Sequence, residues 1–144
     1  MRLIEKAFLI AKHELGIKET GKNNPRIIEY LRTVNLDESE MEESTPWCAA
    51  FINFCLQKSG GRGTHNAMAR SFLTWGRKLT TPEEGCIVVL WRGSPDSESG
   101  HVGFFCGYSE DKDYIKVLGG NQDDCVKIKE YPRARILSYR TSKD

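Results

Sequence analysis

The chain has 144 residues, 39% hydrophobic and 28% charged, with a formal net charge of +1. That is enough chain for one domain with its own core, and the charge balance gives no overall field for nucleic acid or a membrane surface. No stretch approaches the ~20 consecutive apolar residues of a membrane span. The five cysteines, Cys48, Cys55, Cys86, Cys106 and Cys125, form no CxxC pair, and their odd count leaves at least one unpaired, which fits a reducing compartment.

In chain order, Leu3, Ile4, Ala7, Phe8, Ile10, Ala11 and Leu15 trace a helical stripe from about residue 2 to Leu15, ended by Gly16. The charges spaced along it read as a helix of the domain rather than a signal peptide, so the product is expected to be cytoplasmic on synthesis. His13, near its end, suits a capping or surface role. Asn24-Pro25 opens a second short helix with Ile27, Ile28, Tyr30 and Leu31. An acidic loop from Asp37 to Glu43 then delivers the chain to TPWCAAFINFCLQKSGG, residues 45–61.

This last stretch predicts a central buried helix. Thr45 suits the N-cap and Pro46 the first helical position, which puts Cys48 in the first turn; Trp47, Ala50, Phe51, Phe54 and Cys55 form an apolar stripe, and Gly60-Gly61 is the stop. A cysteine among the free N–H groups and the positive end of the helix dipole is a candidate nucleophile, the alternative being simple packing, as expected for Cys55. Thr64 or Asn66 can cap a further short helix bearing Met68, Ala69, Phe72, Leu73 and Trp75.

From there the period changes from helical to alternating. Residues 85–91, 101–108, 114–118, 125–129 and 135–139 read as five strands, so that helices precede an antiparallel meander in a single α+β domain, 1–144. His101 stands at the mouth of the second strand, sharing a face with Gly103 and Phe105; the glycine leaves room for a helix or substrate against the sheet. A strand histidine is often structural, but beside a helix-start cysteine it is the natural general base. Gly119-Gly120-Asn121-Gln122, at the end of the next strand, brings Asn121 towards His101, where an amide oxygen would orient the ring; a plain hairpin turn is the alternative.

The ordered segments TPWCAAFINFCL, RGTHNAMARSFLTWG, the 85–90 strand, SGHVGFF and VLGGNQ together resemble the CHAP and NlpC/P60 superfamily of cysteine peptidoglycan hydrolases, and in particular its small single-domain, phage endolysin-like members. The resemblance implies a papain-like core with the cysteine helix packed on the sheet, and Cys48, His101 and Asn121 as nucleophile, base and orienter. Gly119 stands where many CHAP members have a glutamate. The acidic residues Glu40, Glu42 and Glu43 do not match the aspartates through which some members hold calcium, so no required metal and no cofactor is expected.

The expected substrate is peptidoglycan, with an amide bond cut by a Cys-His-Asn thiol mechanism. Glu42 and Glu43 are candidates to attract a stem-peptide amine, Trp47 and Trp91 to line the cleft, and His65 to touch substrate; packing, a solvated loop and an exposed loop residue are the respective alternatives. A monomer acting on the wall or periplasm after release is expected, with no nucleic acid and no stable membrane association. It would serve as a phage lysin freed by holin-dependent membrane breach, or as a secreted amidase effector paired with an immunity protein. A cysteine transferase or deamidase on protein or lipid, and a silent binding module, are the other classes left open.

Overall fold

The structure is a computed structural model describing residues 1–144. Three helices form the first half: α1 (Leu3–His13), α2 (Pro25–Leu31) and α3 (Cys48–Lys58). Helix α1 buries Ile4, Ala7, Phe8 and Ala11, the i, i+3, i+4, i+7 set of one face, and leaves His13 exposed in its last turn. Just past its end Glu14 is buried, accepting from Arg26 Nε at 2.7 Å, Arg26 Nη2 at 2.9 Å and the Tyr30 hydroxyl at 2.6 Å. That network ties α1 to α2.

Helix α2 starts as its sequence predicts. Pro25 takes the first position and the Asn24 side-chain oxygen accepts from Arg26 N at 2.9 Å. Replacing Asn24 by Ala is expected to lower stability by about 1 kcal/mol, read as a lower urea midpoint with an unchanged slope; an unmoved midpoint would show that the cap contributes nothing.

Helix α3 is surrounded. Every residue from Cys48 to Leu56 is buried, with α1 and α2 packed on one side and strands of the sheet on the other. It begins two residues later than expected. Trp47, at φ −126° and ψ 18°, is the non-helical residue before it, while the Thr45 hydroxyl donates to the Glu40 carbonyl at 2.8 Å instead of capping. Cys48 is therefore the first helical residue, closer still to the free N–H groups.

The sheet has six strands, not five: β1 (Arg77–Leu79), β2 (Ile87–Trp91), β3 (Gly100–Tyr108), β4 (Tyr114–Gln122), β5 (Cys125–Pro132) and β6 (Ile136–Thr141), in the order β1-β6-β2-β3-β4-β5 with antiparallel neighbours. Strands β2 to β5 form the meander, and β6 returns to pair with β2. The added strand β1 is three residues long with two exposed cations, too short to show a period; its pairing with β6 makes it a strand. Strand β4 runs on through Gly119-Gly120-Asn121, and the hairpin turn falls at Asp123-Asp124, both with positive φ.

Two apolar cores result. One fills the space between helices and sheet, and the other, made by Leu79, Cys86, Val88, Leu90, Phe105, Ile115, Val117 and Tyr131, lies on the opposite face. His101 pairs with Leu90 in the register and shares that second face. No helix is long and apolar enough to cross a membrane.

Candidate active site

The start of α3 packs on the start of β3, so Cys48 and His101 stand at the same end of the sheet, the Cys48 thiol towards the backbone of Val102. Cys48 is 6% exposed and His101 1%. The backbone N–H of Val102, next in chain to His101, points at the Cys48 thiol, as do those of Ala49 and Cys48 itself. Burial pushes the thiol up, against the opposing pull of the Arg92 guanidinium and these N–H groups. His101 is pushed down to about 4, first by burial, with Arg92 and Lys129 acting in the same direction and the Gln122 hydrogen bond against them. Both shifts favour the uncharged thiol and the uncharged imidazole. The helix-start position favours thiolate, as the sequence suggests, but burial outweighs it.

The amide facing His101 belongs to Gln122 rather than Asn121. Gln122 Oε1 lies 2.8 Å from His101 Nε2. Its orientation is fixed, because Gln122 Nε2 donates to the carbonyls of Val117 at 3.1 Å and Lys127 at 2.7 Å, leaving only the oxygen to face the ring. Nε2 thus carries the proton and Nδ1 is the accepting nitrogen, with Arg92 Nη2 3.4 Å away. The Tyr131 ring stacks on His101 at 5.1 Å between centroids, its hydroxyl 3.3 Å from the same Nε2.

A bulge accounts for the exchange. Between Gly119↔Lys127 and Gln122↔Cys125 strand β4 spends one residue more than β5, and Asn121 there has a left-handed φ of 57°. One extra residue reverses the alternation of faces, so the side chain after Asn121 takes the place Asn121 would have had. Gly119 is explained at the same point. A Cβ there would lie 2.8 Å from Gln122 Oε1 and 3.5 Å from His101 Nε2, so the glutamine occupies the space of the side chain that Gly119 lacks.

Other expected contacts are redistributed. Trp47 is fully buried, donates through Nε1 to Glu19 Oε2 at 3.0 Å and packs on Tyr30 and Gly120; it is core, not cleft. Glu43 is 5% exposed and its carboxylate accepts from the backbone N–H groups of Thr20, Gly21 and Asn24. Those bonds hold it below the usual carboxylate range, led by that from Asn24 and opposed by desolvation, and leave it tying down the 20–24 loop rather than free for a substrate amine. Glu42 accepts from the Ser44 hydroxyl. Trp91 is half-buried at the end of β2 under the Arg135 guanidinium, 5.4 Å from its ring centroid. His65 is exposed, held at φ 54° by its N–H to Asn53 Oδ1. The space predicted beside Gly103 is filled from within the sheet, since a Cβ there would strike Val117 Cγ1. Cys55 and Cys86 are buried packing residues, and all five thiols are free.

A cysteine at the start of a central helix, packed against an antiparallel sheet that supplies a histidine and its amide, defines the papain-like α+β class. The CHAP domain family model matches residues 40–121, a span running from the acidic loop through Cys48 and His101 to Asn121. The chain belongs to the CHAP family, whose members are typically cysteine peptidases and amidases related to peptidoglycan. Among solved structures, the P60 domain of M. avium subspecies paratuberculosis antigen MAP1204 has the same fold, with a TM-score of 0.60 at 10% identity over 98% of this chain and 94% of that one. No curated protein sequence matches.

Gln122 and Arg92 are the site residues that the sequence alone leaves unread. Gln122 stands inside the quoted GGNQ motif, one residue from the assigned orienter. Arg92 has no sequence signal beyond following a strand that pairs with the histidine strand.

Proposed function

We propose that the protein hydrolyses an amide bond of peptidoglycan through a Cys48 thioester. The observation that carries this is the Gln122 to His101 hydrogen bond beside a helix-start cysteine, in a chain of the CHAP family. His101 Nδ1 takes the Cys48 proton as the sulfur attacks the carbonyl carbon. Backbone N–H groups at the start of α3, including that of Cys48, receive the charge developing on oxygen. His101 then gives the proton to the leaving amine. A water molecule, deprotonated by the same nitrogen, releases the acid and restores the thiol.

Gln122 keeps the proton on Nε2 throughout, so Nδ1 stays the working nitrogen. As His101 becomes imidazolium, its N–H to Gln122 Oε1 becomes charge-assisted and strengthens. The buried site makes ionisation before attack unfavourable, which ties proton transfer to bond formation.

Purified Gram-negative and Gram-positive sacculi, digested with the wild type and Cys48→Ala, test the reading. Soluble muropeptides are expected from the wild type, with release falling at least ~10³-fold in the variant, and fragment masses name the bond. A folded, thiol-reactive protein that releases nothing from either wall would overturn the peptidoglycan assignment and direct the search to protein or lipid amides.

A further inference from the structure

Arg92 is a cation without a carboxylate partner, placed beside the His101 ring. It follows β2 directly, where Trp91 pairs with Gly100, the residue before His101. Its Nη2 lies 3.4 Å from His101 Nδ1, the nitrogen that Gln122 leaves free. The same guanidinium acts on the Cys48 thiol and on the Tyr131 hydroxyl. Of the two cations that act on His101, Lys129 has a carboxylate partner, Asp123, at 2.8 Å. Arg92 has none, and the residue is exposed to solvent.

The loop carrying Arg92 is held in place. Arg70 spreads its guanidinium over it, donating to the carbonyls of Ser99 at 2.8 Å, Pro95 at 2.9 Å and Ser94 at 3.1 Å and to Ser97 Oγ at 3.3 Å. Ser97 Oγ donates in turn to the Arg92 carbonyl. The base of the Arg92 side chain is thus fixed beside the site.

We propose that Arg92 is a specificity residue that takes a carboxylate of the substrate lying next to the scissile amide. An unpaired guanidinium matches a carboxylate as a two-pronged donor. Without one, its charge stands beside the nitrogen that must become positive and its N–H occupies that nitrogen's lone pair. A substrate carboxylate cancels the charge and draws the N–H away, so a correctly charged substrate frees the base as it binds. This deepens the reading of the previous subsection: in a peptidoglycan stem the group would be a free, unamidated carboxyl beside the bond that is cut.

The first test needs no wall substrate. Iodoacetate and iodoacetamide alkylate a thiol by the same step, in which sulfur bonds to the methylene carbon and iodide leaves while the thiol proton passes to base; they differ in carrying a carboxylate or a neutral amide. In the full-length protein, the iodoacetate to iodoacetamide rate ratio at Cys48, followed by peptide mass spectrometry, is expected to exceed that of free cysteine on the order of tenfold or more, and to fall to that of free cysteine in Arg92→Gln. Arg92→Lys, which keeps the charge without the fork, is expected to lie between. Muropeptides with free or amidated side carboxyls then give the substrate arm, with the free acid preferred on the order of 10²-fold in kcat/KM by the wild type and within about threefold by Arg92→Gln.

A ratio at Cys48 equal to that of free cysteine, or one unchanged in both variants, overturns the proposal, as does equal cleavage of acid and amide. An Arg92-dependent alkylation bias in a protein that cuts neither kind of sacculus upholds the carboxylate site and overturns the peptidoglycan reading instead.

Discussion

Gln122→Ala is expected to lower kcat on the order of 10²- to 10³-fold with KM nearly unchanged, whereas Asn121→Gly changes either constant by no more than about threefold. The glutamine is the only amide on His101 Nε2, and its own NH₂ group is held by two main-chain carbonyls. Removing it frees the ring to rotate and lets the proton move to Nδ1, where it blocks the thiol. It also leaves the carbonyls of Val117 and Lys127 without that partner, at a cost of about 1–3 kcal/mol, so denaturation of the variant must accompany its kinetics. A stability loss alone scales the amount of active protein and is removed by working below the melting transition; a tautomer effect remains. Asn121→Gly is the matching control because glycine keeps the left-handed φ of 57° while deleting the amide. If the two variants lose activity equally, the orienting role belongs to Asn121 and the ring is held differently during turnover.

The comparison of Asn121 with Gln122 also shows where sequence reading stops. The helix-then-sheet order, the burial of α3, the Asn24-Pro25 start and the placing of Cys48 in a first helical turn and His101 near a strand start follow from periodicity and turn chemistry, which are local, although the Thr45 cap expected for α3 does not form. A bulge is not local. Whether β4 counts two or three residues against β5 depends on the partner strand, and that count decides which side chain of GGNQ reaches the histidine. The same holds for Glu43 and Trp47. A carboxylate in an acidic loop reads as solvated until the loop at 20–24 folds back and presents its N–H groups. A tryptophan beside the nucleophile reads as a cleft wall until α2 covers it with Tyr30. Arg92 was beyond reach for the opposite reason, since its significance lies in lacking a partner, which no pattern of neighbours in sequence can display.

Between pH 6.5 and 4 the protein is expected to lose roughly 3 kcal/mol of stability through His101 alone. Its folded value of about 4 lies below the ordinary 6.5, and each unit of difference corresponds to about 1.36 kcal/mol. Above pH 6.5 neither the folded nor the unfolded form protonates this ring, so the stability is whole. As pH falls, the unfolded chain binds a proton that the native site refuses, and the equilibrium moves towards unfolding until pH 4, below which both forms are protonated. The groups around the ring set this behaviour: burial first, against the charge, then the Gln122 hydrogen bond favouring it, then Arg92 and Lys129 against it. Urea titrations of wild type and His101→Gln at pH 7 and pH 4.5 isolate the effect, because the carboxylates that titrate in acid are common to both. The wild type should lose about 2–3 kcal/mol more than the variant over that interval. Catalysis should follow the same ionisation, so that kcat/KM, which reports the free enzyme, holds down to about pH 5 and falls towards 4. An acid limb near 6.5 with no excess acid sensitivity would instead place a solvated, readily protonated imidazole at the site, and with it a thiolate and imidazolium formed before substrate arrives.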